Sequence, residues 1–289
     1  TNQEALDLHI QAFRIAEELS LPVMVCMDGF ILTHAYERID IPEPEQVDRY
    51  LPPYEPRQVL DPNDPVTIGA MVGPEAFTEV RYLAHAKQLQ ALDLLPELAV
   101  EFQQVFGRNS GGLIKPYHLE DAETVVIALG SVLGTIKDTV DEMRAQGVKI
   151  GVLGITSFRP FPIEAIRAVT AHAKRIVVIE KCFAVGIGGI VSRDVRSAVQ
   201  SRPQQVFAVV AGLGGRAITK ASLHKLLLQA IEDKLELLTF LDLDWGIVNR
   251  VLEREKQQRR SGPVAEGILR DIGTVSREAP ATALNRSER

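Results

Sequence analysis

Glycine-rich turns are the features of this sequence best suited to ligand chemistry, because each of three follows an apolar run. They lie at residues 130–134 (GSVLG), 186–189 (GIGG) and 212–215 (GLGG). If the apolar runs are parallel strands, the turns lie at their carboxyl ends, where open α/β sheets bind ligands. The third turn, extended to Ala217, also fits the G-x-G-x-x-G/A pattern of a dinucleotide-binding loop.

The same glycines have a structural interpretation, in which they permit tight turns and close packing of the backbone. This interpretation is favoured for the third turn. No strand that ends in an acidic residue follows it at about 20 residues, as contact with a ribose would require. A free-standing nucleotide-binding protein is kept as an alternative function, and it rests on residues 212–217.

Four residues at such positions are candidates for an interface: Asp28, Arg159, Gly188 and Gly189. Asp28 ends an apolar run and can serve either a site or an Asx turn, of which the turn is favoured. Arg159 opens the run Arg-Pro-Phe-Pro and can bind a carboxylate or a backbone carbonyl of a neighbouring subunit. For Arg159 an interface or structural role is favoured over catalysis. No residue is predicted to be catalytic.

Other kinds of chemistry find little support. The six histidines are scattered without an H-x-x-x-H pair, and neither a P-loop nor a G-x-S-x-G motif occurs. Cys26 and Cys182 lie in apolar runs, which predicts buried thiols of a cytoplasmic protein. Iron–sulfur clusters usually need four thiolates. We therefore expect this chain alone to bind no metal and no cofactor.

The charge and the hydropathy exclude two classes of partner. The net charge of −6 gives no bulk attraction to nucleic acid or to an anionic membrane. No apolar run approaches the roughly 18–20 residues of a membrane span. The sequence therefore predicts neither a nucleic-acid-binding protein nor a membrane protein.

The elements that must position the turns are clearest in the middle of the chain. Four apolar runs occur there, at residues 124–130, 149–158, 175–180 and 206–211. Amphipathic segments lie between these runs and after the last. This alternation predicts an α/β fold with right-handed crossovers and a parallel sheet covered by helices on both faces. The order of the strands stays open.

The N-terminal region predicts a helix over residues 3–19, whose apolar face comprises Leu6, Ile10, Phe13 and Ala16. The apolar run at 21–27 predicts a buried strand, although no second strand is predicted before about residue 66. A buried strand without neighbours leaves its backbone groups unpaired. We therefore expect the chain to begin inside a domain whose remainder lies upstream.

Seven of the 16 prolines lie between residues 42 and 65, which predicts an extended connector. Residues 66–72 are either a short strand or a continuation of this connector. A long helix is predicted over 75–106, kinked or split at Pro96 and capped by Gly107.

The pattern decays after residue 244. We expect a solvated helix through Arg260 and a disordered tail beyond it. The predicted organisation is an N-terminal segment (1–40), a proline-rich connector (41–65), an α/β domain (66–245) and a C-terminal helix with its tail (246–289).

Several stretches together resemble one family. They are LPVMVCMDGFILTHAYE at 21–37, FGRNSGGLIKPYHLEDAE at 106–123, ALGSVLGTIKDTVDEMRAQGVKIGVLGITSFRPFP at 128–162 and AGLGGRAIT at 211–219. Over about residues 1–245 the sequence resembles the alpha subunit of pyruvate:ferredoxin (flavodoxin) oxidoreductase and related 2-oxoacid:acceptor oxidoreductases.

The resemblance implies oxidative decarboxylation of a 2-oxoacid, expected to be pyruvate, on thiamine diphosphate. Electrons would pass through [4Fe–4S] clusters to ferredoxin or flavodoxin, and an acyl-CoA would form. Thiamine diphosphate, Mg and the clusters are expected in the full complex, with beta, gamma and delta subunits as partners. Residues 1–40 resemble the last helix and strand of a truncated pyrimidine-binding domain. Residues 66–245 resemble a transketolase C-terminal-like domain, domain II of the family.

On this resemblance, the family's thiamine-activating glutamate and its substrate-binding residues precede residue 1, so no position here inherits their roles. The chain is expected to be inactive alone. Its expected contribution is mainly structural, with subunit docking near Arg159 and the loop at 181–190. A docking module without any catalysis is an alternative.

Overall fold

The computed structural model describes residues 1–67, 69–200, 202–257 and 263–274. The chain divides into two compact units, Thr1–Leu241 and Asp242–Arg289. The first unit carries a six-stranded sheet, and the second carries a pair of helices. Within the described residues, no helix combines the length and the apolar character needed to cross a lipid bilayer.

The sheet is built on the apolar runs. Its strands are β1 (Ile114–Tyr117), β2 (Thr124–Ala128), β3 (Ile150–Ile155), β4 (Arg175–Glu180), β5 (Gln205–Val210) and β6 (Leu238–Phe240). They are ordered β1-β3-β2-β4-β5-β6, and every neighbouring pair is parallel except β1 with β3. All residues of β2 and β3 are buried, as central strands covered on both faces require. The prediction of an α/β fold with a mostly parallel sheet is confirmed.

Helices cover both faces of this sheet. The described helices are α1 (Asn2–Leu19), α2 (Pro44–Tyr50), α3 (Phe77–Phe106), α4 (Val132–Ala145), α5 (Ile163–Val169), α6 (Val191–Ala198), α7 (Lys220–Ile231), α8 (Trp245–Gln257) and α9 (Val264–Asp271). On one face, Ile136 of α4 and Leu223 of α7 share a buried core with Val126. On the other, Ile166 of α5 shares a core with Ile127.

The two edge strands are not predicted by the sequence. Strand β1 pairs antiparallel with β3 and contains Pro116, a residue that strands tolerate at an edge. Strand β6 has three residues and pairs with β5 at the other edge. Both are short and only partly buried, so they lack the continuous apolar run of the central strands. Residues 66, 67 and 69–72 form no strand, and Ile68 lies outside the described residues.

Helix α1 buries a different face from the predicted one. Its buried side chains are those of Asp7, Gln11 and Leu19, whereas Phe13 is 64% exposed. The predicted apolar face is therefore only partly packed, because Ile10 contacts the core of Tyr50, Phe102 and Phe106 whereas Phe13 lies in solvent. Polar contacts set the orientation of this helix, as described below for Asp7.

The predicted buried strand at residues 21–27 is wrong for this structure. Residues 22–28 have no regular secondary structure, and the Met24 side chain is 84% exposed. A strand is defined by its backbone hydrogen bonds to a neighbour, and among the described residues no strand lies beside this segment. The apolar run therefore lacks the backbone hydrogen bonds to a neighbouring strand that would make it a strand.

The prediction of an extended connector over 41–65 is wrong in part, because α2 forms within it. Pro44 occupies the first turn, where its missing N–H costs nothing, and the Gln46 side chain accepts a hydrogen bond from the Glu43 N–H at 3.2 Å. Tyr50 ends the helix and is fully buried against Phe102. Burial of the Tyr50 ring thus stabilises a helix in a stretch whose proline content predicts extended backbone.

Helix α3 runs without a break through Pro96, so the predicted split does not occur. It ends at Gly107, which adopts the left-handed conformation (φ 71°) and donates its N–H to the Gln103 carbonyl at 2.8 Å. The predicted glycine cap is therefore confirmed.

The second unit contains α8 and α9, which are joined by an ion pair between Arg254 and Asp271 at 2.8 Å. Helix α8 agrees with the predicted solvated helix as far as Gln257, whereas α9 was not predicted. The expected end at Arg260 and the tail over 275–289 lie outside the described residues.

A buried carboxylate joins α1 to the segment that follows α3. The Asp7 side chain is 0% exposed, and it accepts hydrogen bonds from both Nε and Nη2 of Arg108, the latter at 2.7 Å. It also accepts one from the Ser110 hydroxyl at 2.7 Å and one from the Gln3 amide at 3.0 Å. A buried charge is tolerated only when it is paired and hydrogen-bonded in this way. The contact therefore sets the orientation of α1.

We expect Asp7→Ala to lower the free energy of unfolding by about 3 kcal/mol, because it leaves the Arg108 guanidinium and the Ser110 hydroxyl without their acceptor. Urea denaturation followed by circular dichroism measures this. The matched control is Glu164→Ala, which removes an exposed ion pair with Arg167 and should cost less than about 1 kcal/mol. Equal losses in the two variants would contradict a structural role for Asp7.

Candidate functional site at the carboxyl edge of the sheet

The three glycine-rich turns all lie at the carboxyl edge of the sheet, as predicted. They follow β2, β4 and β5, which are adjacent in the strand order. From β2 the chain crosses to β3 on one side and then returns to β4 on the other. The position between β2 and β4 is therefore the topological switch point, where open α/β sheets place their ligands.

Asp28 reaches this edge from the N-terminal region. Its Oδ2 accepts a hydrogen bond from the backbone N–H of Ser131 at 2.6 Å, one residue before α4 begins. Burial would raise the pKa of the Asp28 carboxyl. Hydrogen bonds from Ser131 and the charge of Lys181 outweigh this effect and hold the pKa below its usual value. Asp28 is thus a long-range anchor rather than the Asx-turn residue that the sequence favoured.

Glu180 organises the turn after β4, and sequence reasoning recognised it only as the end of a strand. Its buried carboxylate accepts three backbone hydrogen bonds at the start of α6, which are Ile190 N–H at 2.8 Å, Val191 N–H at 2.7 Å and Ser192 N–H at 3.1 Å. These N–H groups would otherwise have no partner in the helix. An acidic residue at the end of an apolar strand, followed by glycines and a helix, is the signal that could have found it.

The Glu180 carboxylate explains why glycine occupies position 189. A Cβ added at Gly189 would overlap Oε1 of Glu180 and lie 2.6 Å from the Ser192 hydroxyl. Gly188 has a positive φ of 108° and accepts a hydrogen bond from the Ala184 N–H at 2.8 Å. The two glycines predicted as interface candidates therefore shape the turn itself.

The outer side of this turn is apolar. Val185 is 88% exposed and Ile187 is 65% exposed. The amphipathic segment predicted between the runs at 175–180 and 206–211 forms a helix only from Val191 on, so Ile187 lies outside α6. The turn presents these two side chains to solvent from a backbone that is closed by two hydrogen bonds between Ala184 and Gly188, at 2.8 and 2.9 Å.

Arg159 follows β3 and lies at the same edge of the sheet. Its guanidinium stacks on the Phe158 ring at 4.1 Å, and Nη2 donates to Asp194 of α6 at 2.8 Å. The sequence offered a carboxylate of a neighbouring subunit as the partner of Arg159, whereas here Arg159 binds the carboxylate of Asp194 in its own chain. Binding to a partner remains a prediction for this residue.

The turn after β5 forms a 3₁₀ turn over Leu213–Gly215, and Thr219 then caps α7 by accepting from the Ser222 N–H at 3.1 Å. A Cβ added at Gly212 would lie 3.0 Å from the Lys181 Cε, so this turn packs against the preceding one. Strand β6 follows and contains no acidic residue for a ribose. The turn therefore gives the nucleotide-binding alternative no added support.

Similarity to known proteins was found along most of the chain. Residues 122–223 match the family model described as pyruvate:ferredoxin oxidoreductase core domain II. Residues 1–97 match the model of the pyruvate flavodoxin/ferredoxin oxidoreductase thiamine diphosphate-binding region. A pyruvate synthase subunit PorA from Methanosarcina barkeri is 44% identical over 230 residues, which is 78% of this chain and 57% of the relative.

The chain belongs to the pyruvate:ferredoxin oxidoreductase family.

Two further proteins are similar to this family member. A ketoisovalerate oxidoreductase subunit VorA from Pyrococcus horikoshii is 34% identical, over 75% of this chain and 56% of that relative. A solved 2-oxoglutarate:ferredoxin oxidoreductase from Magnetococcus marinus aligns with 16% identity and a TM-score of 0.43, over 63% of this chain and 29% of that one. The chain thus spans somewhat more than half the length of the curated relatives.

The anchors of this family member connect its two matched regions. Asp7 and Asp28 lie in the region matched by the thiamine diphosphate-binding model. Ser131, the partner of Asp28, lies in core domain II, and Arg108 lies between the two regions. The candidate site is therefore a junction between the two family segments. Within the described residues, no group of three or more potential metal ligands occurs.

The cysteines are not buried as predicted, since Cys26 and Cys182 are both exposed. Cys26 belongs to the run that forms no strand, and Cys182 lies beyond the end of β4 in the Glu180 turn. Partial burial and then the charge of Glu180 raise the pKa of the Cys182 thiol above its ordinary value of 9.0.

We expect Gly189→Ala to lower the free energy of unfolding by about 2 kcal/mol, because its Cβ collides with the Glu180 carboxylate. The matched control is Gly134→Ala in α4, where nothing lies near an added Cβ and alanine favours the helix. Thermal unfolding should show a lower Tm for the first variant and an equal or higher Tm for the second. A Gly189→Ala protein as stable as the parent would argue against this packing.

We expect Cys182 to be alkylated slowly by iodoacetamide at pH 8, since the thiolate is the reactive form. With Cys26→Ser removing the other thiol, the rate should rise about tenfold per pH unit up to pH 9, because the pKa lies above that value. A rate that levels off below pH 9 would contradict the direction of the shift.

Proposed function

We propose that this chain forms part of the alpha subunit of a thiamine-diphosphate-dependent 2-oxoacid:ferredoxin oxidoreductase that uses pyruvate. The observation that carries the proposal is the 44% identity with a pyruvate synthase subunit over 230 residues. The enzyme would decarboxylate the 2-oxoacid, pass electrons to ferredoxin or flavodoxin and form an acyl-CoA. The order of the two family models along the chain supports the same assignment.

Within this enzyme, the proposed contribution of the chain is positioning and assembly. Residues 1–40 would belong to the pyrimidine-binding domain, 41–65 to the connector, 66–245 to domain II and 246–289 to a C-terminal extension. The contacts of Asp7 with Arg108 and of Asp28 with Ser131 support this role, because both hold the N-terminal region against the sheet domain. A rigid junction of this kind would fix the thiamine-side residues relative to the rest of the enzyme.

The cofactors of the proposed reaction would be held mainly outside this chain. Thiamine diphosphate would stabilise the carbanion that decarboxylation of the 2-oxoacid leaves, and [4Fe–4S] clusters would carry away the electrons released when the substrate is oxidised. The described residues offer no cluster of metal ligands for Mg, and the sequence has two cysteines where one cluster usually takes four. No chemical step is therefore assigned to these residues.

The proposed partners are beta, gamma and delta subunits of a cytoplasmic complex, since the curated relatives are named as subunits. Docking would use the carboxyl edge of the sheet, where Arg159 and the exposed Val185 and Ile187 lie. Exposed apolar side chains on a firmly held turn are typical of such contacts, because little conformational freedom is lost on binding.

Activity of the assembled complex tests the proposal. We expect the complex, isolated with its native subunits, to reduce a low-potential dye only when pyruvate and coenzyme A are both present. We expect the isolated chain to give no activity above background. Complexes without 2-oxoacid-dependent reduction would refute the proposed reaction, and activity of the isolated chain would refute its assignment as a positioning part.

The choice of 2-oxoacid is tested in the same assay. The PorA relative is 44% identical and the VorA relative 34%, which favours pyruvate over ketoisovalerate. We therefore expect kcat/KM for pyruvate to exceed that for ketoisovalerate by at least about tenfold, the ratio that roughly 1.4 kcal/mol of transition-state binding produces. The reverse order would assign the chain to the ketoisovalerate enzymes.

A further inference from the structure

The second unit of the chain contains two helices but no buried core. These helices, α8 and α9, are named here the helix pair. Among the described residues of this unit, from 242 to 256 and from 263 to 274, no side chain is buried. Helices of 13 and 8 residues are marginal in water by themselves, because helix stability in proteins comes mostly from packing of an amphipathic face. The helix pair therefore requires a surface that covers it.

Both helices leave apolar side chains in solvent. On α8, Trp245 is 61% exposed and Leu252 is 50% exposed. On α9 and at its end, Leu269 and Ile272 are exposed as well. Trp245, Val248 and Leu252 are spaced by three and then four residues, which is the spacing of a helix that packs lengthwise against another helix. The apolar pattern therefore favours a helical partner.

The charges of this unit favour another helix over a lipid surface. Residues 253–256 alternate in sign (Glu-Arg-Glu-Lys), which is typical of the polar positions of helices in coiled coils. Residues 242–289 contain nine Lys/Arg and eight Asp/Glu, so the unit is close to neutral. Helices that lie on membranes are instead rich in Lys and Arg on their polar face.

A second copy of the helix pair meets these requirements. Helix α8 has three basic and two acidic side chains, whereas α9 has one basic and two acidic, so their net charges are opposite. A twofold axis that places α8 of each copy beside α9 of the other brings opposite charges together at both contacts. The ion pair of Arg254 with Asp271 at 2.8 Å shows the same attraction between α8 and α9 within one copy.

The helix pair lies outside both matched family regions, since the two models end at residues 97 and 223. The docking proposed for other subunits uses the carboxyl edge of the sheet, which belongs to the first unit. A contact through the helix pair is therefore a separate one, formed by a different part of the sequence.

We infer that the helix pair is a homodimerisation element, in which α8 and α9 pack against α9 and α8 of a second copy as a four-helix bundle. Four short helices around a shared apolar core are a stable arrangement, although neither pair has a core of its own. The bundle would bury Trp245 and Leu252. The inference goes beyond the proposed reaction, which requires no contact between two copies of this segment.

The fluorescence of Trp245 tests the inference, because it is the one tryptophan of the chain. The probe is the purified full chain, diluted from about 1 mM to about 1 µM, a range that covers weak and moderate affinities. We expect sedimentation to show a dimer at high concentration, and the Trp245 emission maximum to move to longer wavelength as the dimer dissociates. A chain that is monomeric throughout would overturn the inference, as would a dimer that dissociates without a change in emission.

A glutamate substitution locates the contact. Leu252→Glu places a charge in the inferred core, so the Kd of the dimer should rise at least about tenfold and Trp245 should emit at longer wavelength than in the parent dimer. Because Leu252 is half exposed in the single chain, the first unit should stay folded, which its Tm checks. The matched control is Leu89→Glu in α3, whose leucine is 47% exposed, and it should dimerise as the parent does. Equal dimerisation by both variants would refute a contact through the helix pair.

Other occupants of the same surface give different results. Emission moved to shorter wavelength only by vesicles of equimolar phosphatidylcholine and phosphatidylserine would identify a lipid surface and overturn the inference. A shift seen only in the complex isolated with its native subunits would assign the helix pair to another subunit, with the same consequence. Short-wavelength emission from a monomer at every concentration would show that the same chain covers Trp245, and it would also overturn the inference.

Discussion

The contact between Asp7 and Arg108 is the constraint on which the first half of the molecule depends. Apolar packing alone holds helix α1 only weakly, because its Phe13 is exposed and its buried residues are mostly polar. The carboxylate receives donors from Arg108, Ser110 and Gln3, so the charge is fully paired where water is excluded. A geometry with several donors allows one orientation of the helix, whereas an apolar face would allow several. This contact therefore fixes α1 against the segment that follows α3.

Carboxylates perform similar tasks at the sheet. Glu180 accepts three backbone N–H groups at the start of α6, and Asp28 accepts one before α4. In each case a helix start supplies donors that lack partners within the helix, and the side chain completes them from a distant or preceding element. The carboxyl edge is therefore held mainly by side-chain acceptors, and two of its glycines, Gly130 and Gly189, leave the space that the Asp28 and Glu180 carboxylates occupy.

The sequence predicts the central sheet well, because four continuous apolar runs separated by amphipathic segments are typical of a parallel sheet covered by helices on both faces. It also predicts the position of the three glycine turns. It does not predict β1 and β6, whose partial burial leaves no periodic signal, nor α2, which depends on the contact of Tyr50 with distant Phe102. The roles of Asp28 and Glu180 were missed because their partners are chosen by the fold and not by local sequence.

The error at residues 21–27 has a different physical origin. An apolar run shows that a segment is compatible with a buried strand. To form that strand, the segment also needs a neighbour with free backbone N–H and C=O groups. The central strands obtain that neighbour from within the chain, and their side chains are fully buried as a result. Residues 22–28 are similarly apolar, but among the described residues their one hydrogen bond is the one that Asp28 accepts from the Ser131 N–H. Local opening should therefore begin at α1 and residues 22–28, where a few polar contacts oppose it. The sheet should stay folded, because its opening exposes two apolar cores at once.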